Sequence, residues 1–402
     1  MDNDNTKKQV VLLIEPDKNL RSFYSIPLNN SGNFKTIIAA SAKEALQTIE
    51  TTKSAEIQLI LLDTGISDIP FQILLQKIRD HTNSFQASIY LFSDDISSED
   101  KFILKEMSVI DVFPIKVDPN QLLISIQKNI KSKNNTLLDS QIYKIKLYLK
   151  NKEIENCDAL MKDEDFKNTF ESSPHLIHLF GEYLILKKEY TKCCDLLNNF
   201  IHKIGNDADI SETMSILNCL GKALCLCMKF KEASLIFKKL SEKSPKNLGH
   251  KINLSSTYIA TAEWEKSAKI LKSVLEVDPC NDAALLNSAQ TQIALNNPKE
   301  ALSFLEKSAA TIEHDSIASF FNNRGITSVH NNEYEQAEGF YKNALFFSKN
   351  NSGKILFNLG LALYKNNKFE EAKTIFEKIK DTSDAEYLSK SKNILKKTHE
   401  SK

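Results

Sequence analysis

The sequence predicts a chain of two fold classes: an N-terminal α/β part built as a doubly wound (βα)5 parallel sheet, then an all-α solenoid of helical hairpins. Three observations carry this expectation. Over the first 130 residues, short apolar and often β-branched runs take turns with segments of helical period. Between residues 181 and 376, one four-part spacing recurs six times. Ten glycines in 402 residues is also a low count, as suits a mostly helical chain.

The N-terminal pattern reads QVVLLIE, KNLRSFYSIPL, KTIIAA, AKEALQTIE, IQLILLD, PFQILLQKIRD, ASIYLFS, EDKFILKEM, VIDVFP and PNQLLISIQKNI. Apolar runs without alternation are strands buried on both faces, and the intervening amphipathic stretches are the helices that cover them. Five such units build a parallel sheet whose ligands bind at the carboxyl ends of the strands. Those ends carry Glu15, Asp63 and Ser93, with Lys116 just beyond the fifth strand. The four side chains are expected to meet in one cleft.

On these residues the segment 8–130 resembles the receiver domain of bacterial response regulators. The resemblance implies that Asp63, in LILLDTG, accepts a phosphoryl group from a sensor histidine kinase. It also implies a switch made of the Ser93 hydroxyl, the Lys116 ammonium and the aromatic Phe113. An aspartyl phosphate gathers negative charge that a lysine, a hydroxyl and a divalent cation offset together. The implied cofactor is Mg2+, held weakly by Glu15, Asp17 and Asp63. Three features depart from the family. The acidic pair after the first strand reads Glu15-Pro16, so Asp17 has to swing in as a ligand. Asp94 and Asp95 follow the hydroxyl, where their charges are expected to repel an incoming phosphoryl group. Val117 follows the lysine, where the family usually has proline.

A polar link at 131–139, KSKNNTLLD, leads to the helical region, 140–402. Its spacing places small residues at Gly181, Gly221, Ser255, Ala289, Gly325 and Gly360. Nine residues further stand Tyr190, Phe230, Trp264, Pro298, Tyr334 and Phe369. A second small residue follows three later, at Cys193, Ala233, Ser267, Ala301, Ala337 and Ala372. Four more residues bring Leu197, Phe237, Leu271, Leu305, Tyr341 and Phe376. Small residues let two antiparallel helices approach, and the aromatic nine on is expected to wedge into the gap beside them. Pro245 and Pro279 fall where a proline ends the second helix of a unit. The stretch LNCLGKALCLCMKFKEASLIFKKLSEKSP resembles a tetratricopeptide repeat. A weaker unit is expected around IYKIKLYLKNKEIENCDALMKD, and DAEYLSKSKNILKKTHE as a capping helix, giving about seven hairpins.

Four units carry an asparagine eleven residues before the aromatic position, at Asn253, Asn287, Asn323 and Asn358. Asparagine is a mediocre helix former, so four in register ask for a reason. The repeat resemblance implies a peptide groove in which these side chains contact the backbone of a bound protein or peptide partner. Hydrogen bonding between neighbouring hairpins is the alternative.

Composition narrows the function. Fifty-two basic and fifty-two acidic residues cancel, against a nucleic-acid partner held by bulk charge. No apolar run reaches membrane-spanning length, so the expected location is cytoplasmic. The seven cysteines, without paired spacing, fit neither a disulfide framework nor a zinc site and are expected to be buried apolar residues of the repeats. With no phosphate loop or nucleophile elbow, a conventional enzyme is not expected. The expected function is a two-component response regulator whose receiver controls protein binding by the repeat groove. The alternative is a receiver that takes no phosphate and serves as a constitutive scaffold.

Overall fold

The computed structural model describes residues 8–52, 57–133, 137–173, 176–204, 210–308, 314–348, 352–382 and 384–400. Five strands, β1 (Gln9–Ile14), β2 (Phe34–Ala39), β3 (Ile57–Asp63), β4 (Ser88–Phe92) and β5 (Val109–Phe113), form one sheet. Its order is β2-β1-β3-β4-β5, and every pairing is parallel. Helices α1 (Lys18–Asn30), α2 (Ala42–Thr51), α3 (Phe71–Asp80), α4 (Ser98–Glu106) and α5 (Pro119–Lys133) follow the strands in turn.

Residue alternation explains the unbroken apolar runs. Val11, Leu13, Leu59, Leu61, Tyr90 and Phe92 point to one face, where α1 and α5 supply Tyr24, Leu28, Leu122 and Ile126. Leu12, Ile14, Ile60, Leu62, Ile89 and Leu91 point to the other, against Ala45, Ile49, Leu74, Ile78 and Leu104 of α2, α3 and α4. A strand buried on both faces has no room for a polar position. β5 departs from this expectation: it is an edge strand, so Ile110 is 38% exposed and Asp111 is exposed.

The helical region begins with α6 (Leu137–Asn151), α7 (Ile154–Met161), α8 (Glu164–Ser172), α9 (Ile177–Leu186), α10 (Tyr190–Ile204), α11 (Ile210–Leu226), α12 (Phe230–Lys243) and α13 (Leu248–Ala260). It continues with α14 (Trp264–Leu275), α15 (Asp282–Ala294), α16 (Pro298–Lys307), α17 (His314–His330), α18 (Tyr334–Phe347), α19 (Gly353–Lys365), α20 (Phe369–Lys378) and α21 (Ala385–Glu400). Helix α21 is the C-terminal helix expected from the sequence. The stretch read as a polar link is largely helical, because α5 runs to Lys133 and α6 starts at Leu137, with 134–136 outside the described residues. The chain divides into two compact units, 1–261 and 262–402. The sheet and the first hairpins therefore share a unit.

One turn recurs between the helices. Lys152, Lys188, Met228, Ala262, Asn296, Asn332 and Asn367 all have φ between 59° and 66°. Each lies two residues before the next helix. At Met228, its N–H donates to the Cys225 carbonyl and that of Lys229 to the Leu224 carbonyl, which satisfies the last carbonyls of the helix through a left-handed residue. The same bond pair occurs at Lys152, Lys188, Asn296, Asn332 and Asn367.

The roles inside a hairpin differ from the sequence expectation. The aromatic position is the first residue of the second helix, and there Phe230 is half-buried and Phe369 is 52% exposed. The ring that fills the helix crossing comes seven residues later. A Cβ on Gly221 would stand 2.7 Å from the Phe237 ring, on Gly325 2.6 Å from Tyr341, and on Gly360 2.5 Å from Phe376. Glycine is required there because the buried ring occupies the space of a side chain. The cysteines also divide: Cys157, Cys193, Cys194 and Cys219 are buried, but Cys280 is exposed in the loop between α14 and α15.

Candidate functional site

Parallel pairing sets the site. Ile14 pairs with Leu62, so the next residues, Glu15 and Asp63, leave the sheet side by side. Asp63 pairs with Phe92, and Phe92 with Phe113, which brings Ser93 and the loop after β5 to the same edge. This edge lies at the strand ends beside the β1/β3 reversal of order, where open parallel sheets bind ligands.

Both carboxyls are almost out of water, Glu15 at 0% and Asp63 at 4% exposure. Asp63 Oδ1 accepts the Gly65 N–H at 2.5 Å. Glu15 Oε1 accepts the Asp17 N–H at 2.9 Å, while no N–H or hydroxyl reaches its buried Oε2, beside Asp63. Burial, together with the charge and hydrogen bonding of Asp63, pushes the Glu15 carboxyl up from 4.5 to about 7, against the lowering effect of the Asp17 N–H. Two acids sharing one dry pocket cannot both ionise cheaply.

Several expected participants are engaged elsewhere. Asp17 does not swing in: exposed, it caps α1, accepting the N–H groups of Asn19 at 2.7 Å and Leu20 at 3.1 Å. The Ser93 hydroxyl donates to the Asp95 carbonyl at 2.8 Å. Lys116 is exposed, and no ion pair joins it to Asp63 among the described residues. Phe113 is half-buried and stacks on Tyr90, centroids 6.0 Å apart. Asp94 does not stand free at the mouth, because its Oδ1 accepts the Ile115 N–H at 3.0 Å.

One contributor was not foreseen. Tyr24, fully buried on α1, stacks on Phe92 with centroids 4.4 Å apart and donates its hydroxyl to the Ile115 carbonyl. Burial first, then the charges of Glu15 and Asp63, push that hydroxyl up to about 12. Tyr24 thus ties the loop before Lys116 to α1 and, through Phe92, to β4. The sequence signal, an aromatic on the buried stripe of α1, was indistinguishable from ordinary core.

Two of the four in-register asparagines link neighbouring hairpins. Asn253 donates to Asn218 Oδ1 at 3.3 Å, and Asn358 to Asn322 Oδ1 at 2.9 Å. Asn218 and Asn322 lie three residues before Gly221 and Gly325; Asn253 and Asn358 lie two before Ser255 and Gly360. The same geometry therefore repeats in both units. Asn323 is exposed and Asn287 half-buried.

The residues partly fit a divalent cation. Glu15 and Asp63 offer adjacent carboxylates, one with an orphaned oxygen, and hard cations take such ligands. Asp17 is engaged as the cap of α1. Among the described residues, no group of three or more His, Cys, Asp or Glu is arranged around a metal position, and no helix is long and apolar enough to cross a membrane.

A tetratricopeptide-repeat profile matches residues 355–382. Among curated proteins no sequence matches the chain. The chain is similar to the response regulator receiver protein of Pseudomonas putida, at 23% identity and TM-score 0.28, over 30% of this chain and 97% of that one. A CheY-like receiver domain protein of Methanospirillum hungatei gives 21%, 0.29, 31% and 96% in the same order. The apo quorum sensor NprR of B. thuringiensis is similar at 16% identity and TM-score 0.36, over 67% of this chain and 81% of that one. The chain is a receiver-like α/β fold followed by tetratricopeptide-like helical repeats.

Proposed function

We propose that this chain is a response-regulator-like signalling protein in which Asp63 accepts a phosphoryl group and the helical repeats bind a protein or peptide partner. The observation that carries the reading is the buried Glu15–Asp63 pair, one oxygen of which no N–H or hydroxyl reaches, at the strand ends of a β2-β1-β3-β4-β5 sheet. Two buried carboxyls side by side are costly to ionise, and perturbed pairs of this kind cluster where chemistry uses them.

In this reading the Gly65 N–H orients the Asp63 carboxylate. One of its oxygens attacks the donor phosphorus. An O–P bond forms as the bond from phosphorus to the imidazole nitrogen of a sensor histidine kinase breaks, and the electron pair leaves with the imidazole. A divalent cation, Mg2+ by ligand type, would be held by Glu15 and Asp63 and would offset the charge gathering on the group in transfer. Ser93 would have to release the Asp95 carbonyl, and Lys116 to fold inward, for the expected switch to close on the phosphoryl group. Phe113 on Tyr90 would report that closure. The function is regulation by contact rather than catalysis.

Acetyl phosphate with Mg2+ should give the chain an acid-labile label that hydroxylamine also cleaves, and Asp63→Asn should remove it. Label that persists in that variant takes Asp63 out of the scheme. A specific observation also favours the scaffold reading: Asp17, Ser93 and Lys116 are all turned from the acidic floor. Magnesium separates the two readings. Saturable thermal stabilisation, stronger at pH 8 than at pH 6 because the ion must displace a proton from Glu15, is expected of a working receiver. Melting curves indifferent to Mg2+ at both pH values would instead support the scaffold.

A further inference from the structure

Helix α10, the second of one hairpin, packs on α11, the first of the next, and four cysteines lie along that seam. They fall into two pairs. Cys193 donates its thiol to the Gly181 carbonyl at 3.4 Å, and Cys219 is hydrogen-bonded to Cys193. This pair is sealed, at 0% and 2% exposure. Cys194 and Cys227 form the second pair, their sulfurs 3.9 Å apart although 33 residues separate them in the chain. Its surroundings are uneven. Cys194 is 4% exposed, whereas Cys227 is half-buried, one residue past the end of α11, between Leu226 at 45% and Met228 at 73% exposure. Solvent therefore reaches one sulfur of the pair, and the other lies directly behind it.

A disulfide needs its sulfurs ~2 Å apart. Rotation of the Cys227 side chain, in the turn that Met228 makes with φ at 62°, supplies the remaining approach without moving either helix. Burial first, then the neighbouring Cys227, pushes the Cys194 thiol up to about 12. Thiolate is the attacking form, so the first step falls to Cys227.

We propose that Cys194 and Cys227 are an oxidation site at which a peroxide closes a disulfide, clamping α10 to α11 and so fixing one hairpin against the next. With hydrogen peroxide, the Cys227 thiolate attacks one oxygen and the O–O bond breaks. Hydroxide leaves, takes up the proton of the Cys227 thiol and becomes water, and Cys227 is left as a sulfenic acid. The Cys194 sulfur then attacks the Cys227 sulfur. An S–S bond forms as the S–O bond breaks, and the departing hydroxyl leaves as a second water with the Cys194 proton. Two thiols thus lose two hydrogens and two electrons, while one peroxide becomes two waters. The site does not involve Asp63, so failed labelling there and a failed cross-link here are distinguishable.

The test treats the full chain with hydrogen peroxide and maps its peptides without reduction. The expected product joins the Cys194 and Cys227 peptides, two hydrogens lighter than their sum, with Cys193 and Cys219 still free thiols. The oxidised chain should melt at least ~4 °C higher than the reduced one and return on addition of a thiol reductant, because the link restricts the unfolded chain. Cys227→Ser should abolish the link and leave Cys194 a free thiol, and Cys280→Ser should leave both link and melting as in the parent. The proposal is overturned if the parent gives no linked peptide, if Cys194 pairs instead with Cys193 or Cys219, or if the linked chain melts no higher than the reduced one. The peptide map of the parent decides even where Cys227→Ser fails to fold.

Discussion

The cleft and the hairpins treat buried acids in opposite ways. In the hairpins Glu338 is only 3% exposed, yet it accepts the Asn366 amide at 2.8 Å and the Lys368 ammonium at 2.9 Å. At the cleft Glu15 is more deeply buried and keeps an oxygen that no N–H or hydroxyl reaches. The hairpins likewise repeat one solution at their turns, a left-handed residue with a paired carbonyl set at Lys152, Lys188, Met228, Asn296, Asn332 and Asn367, whereas three cleft candidates turn away from the residue they were expected to serve. In the hairpins the buried acid is paired even though Ser288 Oγ is not; at the cleft it is the acid itself, the costlier group, that lacks a donor on one oxygen.

The largest expected effect breaks the satisfied side of the contrast. Glu338→Ala leaves Asn366 and Lys368 without their acceptor and should cost roughly 2–3 kcal/mol in urea denaturation of the whole chain. A loss below about 0.5 kcal/mol would show that solvent replaces the carboxylate freely.

Next in size, and opposite in sign, is Glu15→Gln. Because the folded state holds this proton up to about pH 7 while the free carboxyl releases it near 4.5, the stability the proton supports is full below pH 4.5 and is lost as pH rises through 7. The variant carries no charge to bury. It should therefore be more stable than the parent by on the order of 1–3 kcal/mol at pH 8, with little gain at pH 4. Equal melting shifts at both pH values would contradict the assignment.

The smallest effect sharpens the contrast from the hairpin side. Met228 is 73% exposed at φ 62°, the place that Asn296, Asn332 and Asn367 fill in later turns. Met228→Asn should stabilise by about 0.5 kcal/mol, since asparagine tolerates the left-handed region at less strain. A destabilised variant would mean that the methionine side chain packs in a way its exposure does not suggest.

Much of the site was legible. The run LILLD ends at Asp63 because both faces of β3 are covered, and the same reasoning at β1 gives Glu15. What the sequence misjudged were matters of side-chain direction. Asp17 and Asp94 are acids near the cleft in sequence, but each found a backbone N–H closer to hand, at Asn19 and Ile115. Whether a loop carboxylate faces a pocket or a peptide group depends on loop torsions that no periodicity encodes. The aromatic of the repeat was misread for a related reason: spacing marked Phe230 and Phe237 equally, and only the packed hairpin distinguishes the ring under Gly221 from the one at the helix start.

The sequence by itself determined the alternation of strands and helices, the hairpin period, the strand-end acids and the terminal helix, because burial of one face or both imposes a short-range pattern on successive residues. Tertiary structure alone decided that Glu106 meets Ser244 and His250 across more than a hundred residues, that Asn253 answers Asn218, and that Glu15 is left an oxygen short. Those contacts depend on how finished elements are brought against each other, and a single polar side chain carries no repeat by which its partner could be found.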